Sequence, residues 1–147
     1  VHLENSHKAT FEDCQISDAI EYNVFMNDPT TNAHLKDSTV SSGEKYGVYL
    51  NTQNGGSNSV ENCQIYLNGD YGLTDSVTPV TENLFLHNNV YANGSGIYVD
   101  SSGMTMTFFN TSCNNTSDNC FSTYVSPSQL PGDTPAVSGT NVCCQNP

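Results

Sequence analysis

Phe25, Tyr49, Thr74 and Tyr98 follow one another at steps of 24, 25 and 24 residues. If the chain repeats in space at that interval, they form one column, and a strip of Tyr and Phe is a platform for sugar rings or for a partner protein. Tyr22, Tyr46 and Tyr71 repeat at the same interval close to a preceding turn, where a packing role is expected. A third series, Asn27, Asn51 and Asp100 with Asp75 nearby, offers oxygens of the kind Ca²⁺ collects. No Asp-x-Asp-x-Asp loop or glycine-rich calcium repeat accompanies it, so Ca²⁺ is the one ion weighed and no cofactor is expected. His2, His7, His34 and His87 have no consistent partner, and adjacent acids occur only at Glu12-Asp13.

Charge narrows the function further. Three lysines, no arginine and 15 acidic residues give a formal charge of −12. Nucleic-acid binding needs a basic footprint that Lys8, Lys36 and Lys45 cannot supply, and anionic lipid is disfavoured for the same reason. No apolar run approaches the roughly 20 residues that cross a bilayer. Asn, Ser and Thr make up 51 of the 147 residues, while 8 Tyr and 6 Phe recur at intervals. That combination describes a turn-rich all-β repeat better than a disordered acidic chain.

The elements that must position these residues come from an internal period. Val24, Val48, Leu73, Ile97 and Phe121 step by 24, 25, 24 and 24, and Val1 precedes Val24 by 23. Between them lie Phe11–Ile16, Leu35–Val40, Val60–Ile65, Thr81–Leu86 and Phe109–Cys113, whose Asp13, Asp37, Asn62, Asn83 and Asn110 step by 24, 25, 21 and 27. Asp and Asn tolerate left-handed backbone, so these five positions suit a sharp bend. Glu12, Lys36, Glu61 and Glu82 precede that bend and are expected to face solvent. Alternating aliphatics such as Val24 and Met26 mean half-buried strands. Strands of three to five residues close no core alone; stacked at about 4.8 Å they bury a continuous one. Leucine-rich repeats and propellers do not fit this period. The expected fold is all-β: a right-handed parallel β-helix of about five coils of about 24 residues.

The unit Glu61-Asn-Cys-Gln-Ile…Asn…Tyr-Gly-Leu73 resembles the repeat of the pectate-lyase-like superfamily of parallel β-helices, as does Glu82-Asn-Leu-Phe-Leu…Gly-Ser-Gly-Ile-Tyr-Val99. The resemblance covers Val1 to about Tyr124. It implies an asparagine ladder at the bend positions. It also implies a choice between polysaccharide lyases or hydrolases and non-catalytic relatives, since this scaffold hosts many functions. Lyases of this fold use Arg or Lys beside Ca²⁺, and the hydrolases carry Asn-Thr-Asp, Asp-Asp, Gly-His-Gly and Arg-x-Lys motifs, none of which occurs here. A glycosidase would need two carboxylates about 5 to 9.5 Å apart in a groove, and nothing selects Asp75 and Asp100 as that pair. The reading leans away from an enzyme.

Residues 1–125 are expected to form the β-helix and 126–147, with four of the six prolines, an extended arm. Cys14 and Cys63 fall two coils apart, about 9.6 Å, too far for a disulfide. Cys113, Cys120, Cys143 and Cys144 are expected to form two bridges fastening the arm to the last coil, with connectivity open. Sequons occur at Asn93, Asn110, Asn114 and Asn115, with Asn93 and Asn114/Asn115 in turns from which a glycan would project. Six cysteines without arginine point to a secreted or cell-surface protein, and the absence of a basic and apolar leader to a signal already removed. Val1 begins inside a strand pattern, so the first coil is expected to meet another copy or more of a longer chain. The leading expectation is a non-catalytic structural or adhesive glycoprotein that stacks head to tail into a filament. The alternative is carbohydrate recognition along Phe25, Tyr49, Thr74 and Tyr98, with or without cleavage.

Overall fold

In Val24-Phe25-Met26 and Val48-Tyr49-Leu50 the outer two side chains are buried and the middle one is half-buried, as a two-residue period requires. The computed structural model describes residues 1–52, 56–76, 83–99, 105–121 and 141–144. Its strands form three parallel sheets, visited in the order I, II, III. Sheet I stacks His2–Leu3, Tyr22–Asn27, Tyr46–Asn51, Tyr71–Asp75, Ser95–Val99 and Cys120–Phe121. Sheet II stacks Thr10–Glu12, His34–Lys36, Ser59–Glu61, Leu84–Leu86 and Met106–Phe108. Sheet III stacks Gln15–Ser17, Thr39–Ser41, Gln64–Tyr66, Asn89–Tyr91, Thr111–Cys113 and Val142–Cys143. From His2–Leu3 to Ser95–Val99 this makes four turns of a β-helix, and the strands beyond, to Cys120–Phe121, close a fifth.

The core is a set of vertical columns. Val24, Val48, Leu73 and Ile97 are in register and at most 1% exposed. At the far end Ile97 pairs with Cys120, and Phe121 falls opposite Tyr98. The sixth anchor is therefore Cys120, not Phe121, because the last turn is one residue shorter. At the other end Phe25 N–H bonds the Val1 carbonyl at 2.9 Å, which sets Val1 beside Val24, with its side chain 40% exposed. Leu35, Val60 and Phe85 line sheet II from within, and Val40, Ile65 and Val90 line sheet III.

Corners are where the sequence expectation needs correction. Asp13, Asp37, Asn62, His87 and Phe109 carry φ between 47° and 56°, the left-handed region that Asp, Asn and His tolerate best. The bend column thus steps by 24, 25, 25 and 22, with His87 and Phe109 where Asn83 and Asn110 were expected. Leu84–Leu86 pairs with Ser59–Glu61, so Leu86, not Glu82, continues the Glu12, Lys36, Glu61 column; Glu82 lies outside the described residues. The Glu-Asn pair at 82–83 copies Glu61-Asn62 in sequence but stands four residues out of register.

The residue after each left-handed bend points inward, and there the amides stack. Cys63 N–H donates to Asn88 Oδ1 at 3.0 Å, Asn88 N–H to Asn110 at 2.9 Å and Asn110 N–H to Asn141 at 3.0 Å. A second ladder runs from Gly43 N–H to Asn68 at 3.1 Å, Asn68 N–H to Asn93 at 3.0 Å and Asn93 N–H to Asn115 at 2.9 Å. A third joins Ala33 N–H to Asn58 at 3.0 Å and Asn58 N–H to Asn83 at 3.2 Å. Three corner ladders replace the single one expected, and they satisfy buried backbone groups that bends would otherwise leave orphaned.

The chain end joins the same lattice. Val142–Cys143 pairs with Thr111-Ser112, so 141–144 belong to the solenoid although they fall within the expected arm. Cys113–Cys144 and Cys120–Cys143 are bridged, with Cα separations of 4.9 and 5.8 Å. Cys14 and Cys63 are free, as their spacing demands. The proline-rich stretch 126–140 lies outside the described residues.

Candidate functional site

The outer face of sheet I carries the aromatic residues because its strands run five or six residues, long enough to present two outward positions each. His2, Phe25, Tyr49, Thr74 and Tyr98 are in register in one column. Tyr22, Tyr46 and Tyr71 run alongside, and the two columns are not separate. Ring centroids lie 4.5 Å apart for Tyr22 and Phe25, 5.1 Å for Tyr46 and Tyr49, and 5.3 Å for Tyr71 and Tyr98. Along the columns, Phe25 and Tyr49 are 5.6 Å apart, Tyr22 and Tyr46 5.2 Å, and Tyr46 and Tyr71 6.2 Å. The sequence reading assigned Tyr22, Tyr46 and Tyr71 to packing; the structure joins them to the stripe.

Thr74 interrupts this face. Tyr49 and Tyr98 flank it two strand spacings apart, about 9.6 Å, where one aromatic rung is missing. The result is a concavity of about 340 Å³ lined by Tyr46, Tyr49, Tyr71, Thr74, Ser76 and Tyr98. Thr74 is 2% exposed, and its hydroxyl finds no hydrogen-bond partner among the described residues. A buried hydroxyl left in that state costs free energy until something bonds it.

Carboxylates border the phenols. Burial pushes the Tyr46 phenol above its usual range, and the Asp70 carboxylate, to which its hydroxyl is bonded, adds to the shift. Tyr71 is raised by burial, then by Asp70, Tyr98 and Asp118; Tyr22 is raised by burial, then by Glu21 and Tyr49. Sequence reasoning missed Asp70, although its place just before Tyr71 was a usable signal.

The other sites behave differently. Asn27 and Asn51 are in register, with Asn51 Nδ2 donating to Asn27 Oδ1 at 3.1 Å. Asp75 is not beside them: it pairs with Leu50 and Val99, points into the core and accepts a bond from Asn83 Nδ2 at 2.9 Å. Asp100 lies outside the described residues, among which no group of three or more His, Cys, Asp or Glu gathers. Of the sequon asparagines, Asn93, Asn110 and Asn115 are ladder rungs at most 5% exposed. Their amides are committed inside the corner, which corrects the expectation of a projecting glycan at Asn93. Asn114 is exposed.

Sheet II holds a polar chain unnoticed in the sequence. Ser59 Oγ donates to Glu61 Oε1 at 2.5 Å and lies 2.7 Å from His34 Nδ1. With the serine O–H directed at Glu61, His34 must donate its Nδ1–H to Ser59. A cavity of about 230 Å³ adjoins it, lined by Ser57, Leu84 and Met106 among others. The N–H groups of Ser59, Leu84 and Met106 are bonded to Ala33, Asn58 and Asn83 carbonyls, so these three are committed to the sheet.

Residues 1–131 match the family described as the right handed beta helix region. No curated protein and no solved structure matches the chain. Among the described residues no helix is long and apolar enough to cross a membrane, and the two disulfides accord with an oxidising compartment.

Proposed function

The chain belongs to the right-handed β-helix family, and on that scaffold we propose that it is a secreted, non-catalytic module that holds carbohydrate on the outer face of sheet I. The concavity at Thr74 carries the reading: it lies between Tyr49 and Tyr98 in the column, beside a threonine hydroxyl with no partner among the described residues. A pyranose has an apolar C–H face for the tyrosines and hydroxyls for Thr74. Subsites along Phe25, Tyr22 and His2 would extend the grip over further units. The test is a glycan array with the native chain, Tyr49→Ala and Tyr98→Ala. Binding by the native chain that both variants lose supports the reading; binding unchanged in both removes it.

A second reading, head-to-tail stacking, has one structural support. Among the described residues the strands His2–Leu3, Thr10–Glu12 and Gln15–Ser17 are each paired on one side, and such an edge takes a further parallel strand from another copy or from more of the same polypeptide. Sedimentation at rising concentration tests the first: a monomer throughout excludes it.

A further inference from the structure

Given carbohydrate recognition at Thr74, we infer that the preferred unit is a protonated amino sugar, a hexosamine bearing a free primary amine. The charges around the cleft are acidic apart from Lys45. Asp70 is bonded to Tyr46 and also acts on Tyr71, Asp118 acts on Tyr71 from two coils further on, and Glu21 acts on Tyr22. The one cation on this flank, Lys45, is engaged with Glu21 at 3.4 Å. Lys36 sits on sheet II, and Lys8 occupies the corner that leads into it. Asp70 and Asp118 are therefore left to act on whatever enters between Tyr49 and Tyr98.

Ring faces attract cations through their quadrupole, most strongly where water is thinned. A ring slotted at Thr74 carries its substituents outward past Tyr46 and Tyr71, toward Asp70. An ammonium there meets phenyl faces and a carboxylate together, while the ring hydroxyls reach the Thr74 hydroxyl. An N-acetylated unit loses the charge, and a uronic acid brings a carboxylate against Asp70 and Asp118, in a chain of net charge −12. The cleft thus selects among sugars by sign of charge.

The experiment is calorimetric titration of the full chain with three β-linked hexamers: glucosamine, N-acetylglucosamine and glucose. At pH 6 the glucosamine hexamer should bind about tenfold or more tighter than the other two. A hexosamine amine titrates near the α-amino range, roughly 8, so that advantage should vanish at pH 9. Tyr22, Tyr46 and Tyr71 keep their protons across this window, being raised above the phenol value of 10.0. Asp70→Asn with Asp118→Asn should bring the three hexamers level, and Thr74→Tyr, which fills the gap, should abolish binding; thermal melts confirm that both variants fold. If the neutral hexamers bind as well as glucosamine and Thr74→Tyr abolishes them, the charge preference is overturned and the sugar site stands. Glucosamine binding that survives Thr74→Tyr is attraction to an acidic surface at large and overturns the inference. No binding of any hexamer overturns the inference and the reading beneath it.

Discussion

The corner built by Asn68 and Asn93 and the face built by Tyr46 and Tyr71 repeat at the same 25-residue step, yet they treat a missing member in opposite ways. Gly43 stands in the corner ladder where an amide is needed, and the structure fills the vacancy from elsewhere. Asn23, on the adjoining strand, donates its Nδ2 to Asn68 Oδ1 and to the Ser41 carbonyl, both at 2.9 Å. In the coils above, Gly47, Gly72 and Gly96 hold that strand position, and a Cβ on Gly72 would lie 2.6 Å from Asn93 Nδ2. At the face, Thr74 replaces an aromatic; the neighbouring rings cover it, yet a concavity of about 340 Å³ remains. A buried polar group left unpaired is costly, so the interior compensates. A gap at the surface costs little, so one kept open beside a buried hydroxyl is where a ligand fits.

The largest contrast lies between removing a rung and removing a ring. Asn93→Ala strips Asn68 N–H of its acceptor and the Ile65 carbonyl of its donor, both buried. It should cost about 3 kcal/mol by denaturant unfolding. Tyr71→Ala, on a half-exposed neighbour, should cost about 1 kcal/mol or less. Equal losses would dissolve the distinction between corner and face.

A sharper version moves the compensating amide. Asn23→Gly strips Ala19 N–H of its acceptor and the Ser41 carbonyl of its donor and empties a buried site, at about 2 kcal/mol. Gly43→Asn on its own places a Cβ 2.7 Å from Asn23 Nδ2 and should cost a similar amount through overpacking. The double variant returns the amide to the corner, with a glycine on the strand as in the coils above. Its loss should fall at least 1 kcal/mol short of the two singles combined, read as a double-mutant cycle. Strict additivity would mean that Asn23 is no substitute rung.

Much of this lattice was legible in the sequence. Val24, Val48, Leu73 and Ile97 gave the period and the strands because alternation in buried strands leaves little choice of residue. The column Phe25, Tyr49, Thr74 and Tyr98 followed from the same register. The corners were harder for a physical reason: a left-handed bend accepts Asp, Asn, His, or even Phe109, while the ladder beside it accepts Asn, Ser38 or Cys63. With 19 asparagines in the chain, identity alone does not separate a bend from a rung, and Asn83 and Asn110, which spacing reads as bends, are both rungs. The cleft's acidic border was invisible because Asp70 matters through its distance to Tyr46 and Tyr71, which a one-dimensional pattern does not carry.

Alkaline titration sharpens the comparison from both sides at once. Burial pushes the Cys63 thiol up to about 11 from 9.0, and Tyr22, Tyr46 and Tyr71 are also raised. The folded chain therefore holds protons that the unfolded chain releases. Stability from these groups is intact below about pH 8.5 and falls as pH climbs through 9 to 11. Cys63 alone would contribute about 2 kcal/mol of that loss. Cys63→Ala should flatten the decline in melting temperature between pH 8.5 and 10.5, whereas Tyr46→Phe should flatten it only slightly, since its phenol is half-exposed. A profile that Cys63→Ala leaves unchanged would mean that the interior does not resist ionisation as its burial implies.

The smallest expected effect bears most directly on function. Thr74→Tyr restores the missing rung, extending the Phe25 and Tyr49 column to Tyr98 at the spacing the other rings already keep. Aromatic pairs at such distances add about 0.5 to 1.5 kcal/mol beyond area burial, and here the substitution also removes a buried hydroxyl without a partner among the described residues. It should therefore leave stability unchanged or raise it by up to about 1 kcal/mol in thermal melts. A position where the larger, better-stacked residue stabilises the fold, yet threonine stands, is one where stability did not choose the residue. A clear loss of stability would instead mean that Thr74 is there to pack, and the cleft would lose its strongest argument.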